Sequence, residues 1–232
     1  MVRAGEPAWA PGSFLTLLSD AEREELLALG TTRKVPGGRH LLVEGRQDTQ
    51  VEVIRQGHVK VTTTVGGTSR LLAIRLPGDL VGEHGAFTGN GRIATVTTCG
   101  DVVSTVIRQA AFLRFLSVHP QVSAQLTVAV SRRLLWANRR RTEFTAFPVQ
   151  VRLGRVLLDI ATSCGEAVGD GLLIRVVLSQ TELASLIGAR EDTVQRALRD
   201  LRRAGLVRTG YRRITVLDAA GLRALTDKAE WI

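Results

Sequence analysis

The sequence predicts an α+β protein: a roll of short antiparallel strands, then one long helix, then a smaller helical domain closed by a β-hairpin. Three observations carry this expectation. Between Thr32 and Arg108, short β-rich runs alternate with turn signals. Between Pro120 and Phe147, the periodicity is helical and no glycine interrupts it. After Ser179, two helical patterns meet at Gly188 and lead into two β-runs.

Taken in order, the first element is a short helix announced by Ser19 and Glu22, the serine-to-glutamate spacing of a capping box. The expected strands are Arg39–Val43, Val51–Ile54, His58–Val65, Leu71–Leu76, Ile93–Thr98 and Val102–Ile107, separated by turns such as Pro36-Gly37-Gly38 and Pro77-Gly78-Asp79. Strands this short at this spacing specify a β-roll of the jelly-roll kind, not a parallel α/β sheet. In the long helix, Val130, Leu134, Ala137, Arg141 and Phe144 alternate at spacings of four and three, the seam of a coiled coil. Such a helix is suited either to pairing with a second copy or to packing on its own roll; the seam favours pairing, so a homodimer is expected. Pro148 ends or kinks it. The expected domains are therefore 1–119, a dimerisation helix at 120–147, and 148–232.

In the last domain, Leu153, Val156, Leu157, Ile160 and Ala161 mark a helix face, Gly165–Gly171 reads as a loop and Leu172–Leu178 as a strand. Ser179 and Glu182 form a second capping box, and Gly188 stops that helix after about two turns. The next helix buries Val194, Ala197, Leu198 and Leu201 and crowds arginine on its remaining surface. Two β-runs around Thr209-Gly210 complete a winged helix-turn-helix.

Composition narrows the function. The chain has 232 residues, 44% hydrophobic and 23% charged, an ordinary globular balance. No apolar run approaches the roughly 18–20 residues of a membrane span, and Met1–Pro7 lacks the apolar core of a secretory signal, so a soluble cytoplasmic protein with no membrane partner is expected. Two cysteines exclude a disulfide framework and a four-thiolate iron–sulfur cluster, and histidines 40, 58, 84 and 119 have no metal-ligand spacing. No metal site is expected. There is no P-loop, no G-x-S-x-G and no H-E-x-x-H, so no catalytic residue is expected and the chain is not read as an enzyme.

The net charge of +9 is unevenly spread: +2 over residues 1–130 and +7 over 131–232, with eight arginines against three acids between Gly188 and Arg213. That local excess points to a polyanion, double-stranded DNA. Arg196 is the leading base reader, flanked by Arg190 and Gln195, because arginine pairs bidentately with guanine and glutamine with adenine in the major groove. Glu191, Asp192, Thr193 and Arg199 share the helix, while Ser179 and Gln180 open the one before it. Arg208, Arg212 and Arg213 are expected on phosphates. A protein-contacting winged helix, serving a regulatory module instead of DNA, is the alternative; it has no need of so many arginines.

Two stretches, Leu76-Pro-Gly-Asp-Leu-Val-Gly-Glu-His-Gly-Ala-Phe87 and Leu183-Ala-Ser-Leu-Ile-Gly-Ala-Arg-Glu-Asp-Thr-Val-Gln-Arg-Ala-Leu198, together with the order of elements, resemble the CRP/FNR family of transcription regulators. The resemblance runs from about Phe14 to Leu217. It implies a cyclic-nucleotide-binding-like β-roll, a homodimer on an inverted-repeat operator, and RNA polymerase as a partner if the protein is an activator. It also implies a phosphate cassette of Gly-Glu followed by Arg-Ser-Ala. Here the matching residues are Gly82-Glu83 and Arg92-Ile93-Ala94, so a branched apolar side chain replaces the serine hydroxyl. The purine-contacting Thr-Ser pair of the family corresponds to Ala137-Asn138. A nucleotide effector is thus the candidate, with cyclic AMP disfavoured and an ordinary cyclic-AMP switch as the competing reading. Glu83 and Arg92 have a second reading, an internal ion pair that stabilises the roll. Haem, which would need a ligand such as His84, is disfavoured.

Overall fold

The structure, a computed structural model, describes residues 9–227. They form two compact units, one extending to Arg133 and the other beginning at Leu134, so the division falls inside the long helix.

In the first unit a single 3-10 turn at Phe14–Leu17 precedes helix α1 (Asp20–Ala28), whose capping box is complete: the Ser19 hydroxyl accepts from Glu22 N–H and the Glu22 carboxylate accepts from Ser19 N–H. The roll consists of β1 (Thr31–Val35), β2 (His40–Leu42), β3 (Val51–Gln56), β4 (Val59–Val65), β5 (Thr68–Arg75), β6 (Leu80–Val81), β7 (Thr95–Thr98) and β8 (Val102–Ile107), with helix α2 (Glu83–Thr88) between β6 and β7. They pair antiparallel in two four-stranded sheets, ordered β1-β8-β3-β6 and β2-β7-β4-β5. Strands β1 and β6 and helix α2 had no sequence signal: β1 is mostly exposed along its length and β6 spans two residues.

Strand β3 explains how one short run organises two cores. Val51 and Val53 join Phe14, Leu26, Ile107 and Phe112 in the larger cluster, while the alternate residue Ile54 joins Leu42, Val59, Val96 and Val102 in the smaller one. Each of these side chains contributes about 1.5–3 kcal/mol by leaving water. Helix α3 (Gln109–Val118) adds Phe112 and Phe115 to the larger core, and the long helix α4 (Pro120–Ala146) adds Val122, Leu126 and Ala129. The early turns of α4 therefore pack on their own roll, one of the two roles its sequence allowed.

In the second unit, Pro148 is the N-cap of α5 (Val149–Cys164) rather than its first turn. Then come β9 (Gly165–Val168), β10 (Gly171–Ile174), α6 (Gln180–Ile187), α7 (Glu191–Arg203), β11 (Val207–Gly210), β12 (Arg213–Val216) and α8 (Ala219–Asp227). The four strands form one antiparallel sheet in the order β11-β12-β10-β9. Two sequence expectations are corrected here. The segment expected to be a loop from Gly165 contains β9, whose exposed side chains show no alternation, and the strand expected through Leu178 stops at Ile174. The last hairpin turns at Tyr211-Arg212, because Gly210 pairs with Arg213; Arg212 takes the left-handed conformation (φ 55°) that closes the turn.

Arg155 pins this unit together. It donates to Glu143 Oε1 (2.8 Å) and to the Thr226 carbonyl (2.9 Å), and its guanidinium lies 4.1 Å over the Phe147 ring. Nearby, Arg140 stacks 4.3 Å over Trp136, and burial pulls its pKa down to about 10, so it stays charged at neutral pH.

Candidate nucleic-acid interface and nucleotide cassette

The residues expected to meet DNA lie on α6, α7 and the β11–β12 hairpin of the second unit. Ser179 caps α6 by accepting from Glu182 N–H (3.1 Å), which leaves its hydroxyl proton for another acceptor; Gln180 is the first residue of that helix. Gly188 ends α6 at φ 61°, in the left-handed region. The Phe144 ring lies against this turn so closely that a Cβ on Gly188 would stand 2.8 Å from it. Arg152 reaches the same turn from α5, donating through Nη1 to the Ile187 carbonyl (2.5 Å) and more weakly to that of Gly188 (3.3 Å). These carbonyls are among those a helix end leaves without partners. No sequence pattern singled out Arg152, which lies beside the apolar face of α5 and is buried.

Helix α7 turns Val194, Ala197, Leu198 and Leu201 inward and leaves Arg190, Glu191, Asp192, Gln195, Arg196 and Arg199 exposed, with Thr193 half-buried. Glu191 and Asp192 occupy its first turn, where carboxylates complement the helix dipole. Glu191 also accepts from Thr181 Oγ1 (2.8 Å), tying α7 to α6. Asp192 accepts from Thr193 N–H (2.8 Å), and its other oxygen stands 3.4 Å from Arg196, a loose and exposed pair. Pairs of this kind contribute about 0–1 kcal/mol, so Arg196 is only weakly restrained. On the hairpin, Arg208, Arg212 and Arg213 are exposed, and Arg208 is only loosely paired with Asp170 (3.4 Å). Tyr211 at its tip is 90% exposed, a feature the sequence reading passed over.

The cassette residues of the first unit are arranged differently from either sequence expectation. Arg92 is buried and its guanidinium is spent internally: Nε donates to the Asp48 carboxylate, Nη1 to the Gly82 carbonyl (3.0 Å) and Nη2 to the Gln50 carbonyl (2.6 Å). Gly82 and Gly85 make room for it, since a Cβ at either would approach Nη1 to 2.8 and 3.0 Å. Glu83, the first residue of α2, accepts through Oε1 from Arg133 Nη1 (2.8 Å). Arg133 also donates to Asp79 Oδ1 (3.2 Å) and the Leu80 carbonyl (2.8 Å). The expected internal pair of Glu83 with Arg92 is thus exchanged for two others, Arg92 with Asp48 and Glu83 with Arg133. Arg75, close to this group, has its pKa pulled down to about 10, first by burial and then by the charge of Arg133.

Ile93 is 62% exposed, so its bulk faces solvent instead of filling the cassette, and Ala94 is half-buried. Ala137 and Asn138 are exposed positions of α4 in the second unit, and His84 is exposed on α2. Among the described residues, no group of three or more histidine, cysteine, aspartate or glutamate side chains is placed to hold a metal ion. No helix is long and apolar enough to cross a membrane among those residues.

Comparison with known proteins matches this order of parts. A cyclic nucleotide-binding domain model matches residues 32–119 and a Crp-like helix-turn-helix domain model matches residues 151–225. The chain belongs to the CRP/FNR family. CRP/FNR proteins are DNA-binding transcription regulators, and the relatives found carry that description. A CRP-like cAMP-activated global transcriptional regulator of Mycobacterium tuberculosis is 29% identical over 188 residues, covering 81% of this chain and 84% of its own. The cyclic AMP receptor protein of Thermus thermophilus is 26% identical over 209 residues, covering 90% and 94%. Among solved structures, the c-di-GMP-responsive global regulator CLP of Xanthomonas campestris superposes with a TM-score of 0.73 at 20% identity, over 86% of this chain and all of that one. At that identity the likeness speaks for the CRP/FNR fold alone.

Proposed function

We propose that this CRP/FNR member is a homodimeric, sequence-specific transcription regulator whose DNA binding does not depend on cyclic AMP. The observation that carries the DNA-binding part is α7 itself: its apolar face is buried, its arginine and glutamine side chains are exposed, and Gly188 and a basic hairpin bracket it. Residues 1–119 serve as the sensory roll, 120–147 as the dimerisation helix and 148–232 as the DNA reader. Pairing is supported by the seam of α4, where Val130, Leu134 and Phe144 are 40%, 61% and 38% exposed in the single chain. Burying a leucine of this kind against a second copy contributes about 1.5–3 kcal/mol. A two-fold axis sets the recognition helices one DNA turn apart, about 34–36 Å, so the operator is an inverted repeat. The site of action is then the cytoplasm, and RNA polymerase is a partner if the protein activates.

Arg196→Ala tests the assignment. We expect a loss of about 1–3 kcal/mol on the preferred operator, with discrimination relaxed at one base pair per half-site. Measured across a randomised duplex library, an equal loss on every sequence would assign Arg196 to the backbone instead. A C-terminal domain built to contact protein would show no salt-dependent duplex binding at all.

The names of the relatives speak for the competing reading, an ordinary cyclic-AMP switch. The cassette speaks against it, because both of its charged groups already have internal partners. Displacing Asp48 from a buried guanidinium forfeits a charge-assisted hydrogen bond, and the missing serine hydroxyl forfeits another; each contributes about 1.5–3 kcal/mol. Titration calorimetry with cyclic AMP is expected to show no micromolar site and DNA affinity unchanged by the nucleotide. Micromolar binding that raises DNA affinity and disappears in Arg92→Ala would establish the switch instead.

A further inference from the structure

We propose that Asp48 is a resident anion: its carboxylate occupies the guanidinium of Arg92 in place of a ligand phosphate, and removing it converts the roll into a cyclic-nucleotide binder. The inference rests on the cyclic-AMP-independent reading above and names the residue responsible for it. Four observations support it. First, Asp48 is the one charged group hydrogen-bonded to Arg92 among the described residues; Gly82 and Gln50 contribute only backbone carbonyls. Second, it is also the partner at the surface. The Asp48 side chain is 33% exposed, whereas that of Arg92 is 2% exposed. A ligand arriving from solvent would meet Asp48 first.

Third, part of the cassette is kept, although the serine hydroxyl is lost at Ile93. Gly82 and Gly85 leave the space that the guanidinium needs, and Ile93 faces away into solvent. Arg133 takes Glu83 Oε1, which leaves Oε2 for a ribose hydroxyl. Fourth, the buried carboxylate of this region, Glu52, is held by Arg33 (2.5 Å) and Ser104 (2.8 Å), so its oxygens are engaged elsewhere although its charge still acts on Arg92. Without Asp48, the buried guanidinium would keep two carbonyls but lose its directly bonded counter-charge, with Glu52 acting on it only from a distance. Such an unpaired charge is costly, and an anion that reaches it is correspondingly favoured. A cyclic phosphate carries one negative charge and two exocyclic oxygens, the features of the carboxylate it would replace.

The test uses full-length Asp48→Ala and Asp48→Asn with cyclic AMP as the probe. By calorimetry, Asp48→Ala is expected to bind at least about 10-fold tighter than the unaltered protein, up to about 100-fold, and Asp48→Asn to gain less, since its amide oxygen can still accept from Arg92. Adding Arg92→Ala to Asp48→Ala should erase the gain. A readout that a purely structural role would not move is anion rescue: inorganic phosphate should raise the melting temperature of Asp48→Ala, relative to sodium chloride of equal ionic strength, and leave that of the unaltered protein unchanged. A folded Asp48→Ala with no gain overturns the proposal, and so does a gain that survives Arg92→Ala. If Asp48→Ala does not fold, Asp48→Asn decides by the same criterion. Either failure leaves cyclic-AMP independence standing, because that reading falls only if the unaltered protein binds cyclic AMP itself.

Discussion

Operator affinity is expected to fall by about 10³–10⁵-fold as salt rises from about 50 to about 200 mM. The estimate follows from the hairpin. Arg208, Arg212 and Arg213 are exposed in each protomer, so a dimer brings six cations to the phosphate backbone before Ser179 and Gln180 are considered. Each neutralised phosphate releases bound counterion, giving a slope of about −0.9 in log affinity against log salt per contact. Arg208 pairs with Asp170 at 3.4 Å with both side chains more than half exposed, a pair too weak to hold Arg208 back. Arg212→Ala removes two contacts per dimer and should make the slope shallower by about 2, with an equal loss on every sequence. That uniform loss is the counterpart of the sequence-dependent loss expected from Arg196→Ala. A slope unchanged in Arg212→Ala would move the hairpin off the backbone.

Gly188→Ala is expected to destabilise the second unit by about 2–5 kcal/mol and to abolish operator binding. Two costs combine. An L-residue held at φ 61° costs about 1–2 kcal/mol relative to glycine. The added methyl would also lie 2.8 Å from the Phe144 ring, and overpacking of this kind typically costs about 1–3 kcal/mol. The ring cannot retreat cheaply, because the Arg152 guanidinium lies 5.7 Å over it while bonded to the carbonyls of the turn. For a unit of this size each kcal/mol lowers the melting temperature by about 4–8 °C, so a drop of about 10 °C or more is expected. DNA binding goes with it, since this turn sets α7 against α6. A double-mutant cycle with Phe144→Ala separates the two costs: removing the ring should leave the backbone cost alone, and the two substitutions should be markedly non-additive. Additivity, or a loss below about 0.5 kcal/mol, would mean that Phe144 does not support the turn.

Features whose physics lies within a few residues were readable from the chain. Ser19 with Glu22 and Ser179 with Glu182 satisfy each other across three residues, so their spacing is enough to start a helix. Gly188 ends α6 because of its own backbone freedom, and the apolar period of Val194, Ala197, Leu198 and Leu201 announces which face of α7 is hidden. The exposed surface is what remains once that face is buried, so the arginines on it could be named in advance. Strands without alternation were not readable: β1 and β9 are largely exposed edges, and β6 is two residues recruited by pairing with β3.

The cassette marks the sharpest division. The candidate members, Gly82, Glu83 and Arg92, came from the family resemblance, and so did the loss of the serine hydroxyl at Ile93. Which charge each member meets did not. Asp48 stands 44 residues before Arg92, and Arg133 stands 50 residues after Glu83. With 31 basic and 22 acidic side chains in the chain, no local pattern selects those partners. Folding brings them together because β3 and β6 pair beside the loop that carries Asp48, and because α4 packs Val122, Leu126 and Ala129 on the roll and so delivers Arg133 to α2. Near burial, charges take whichever counter-charge the backbone places within about 3 Å, since an unpaired one costs several kcal/mol. Local sequence therefore marks Gly82, Glu83 and Arg92 as candidates, and packing decides that Arg92 meets Asp48 and Glu83 meets Arg133.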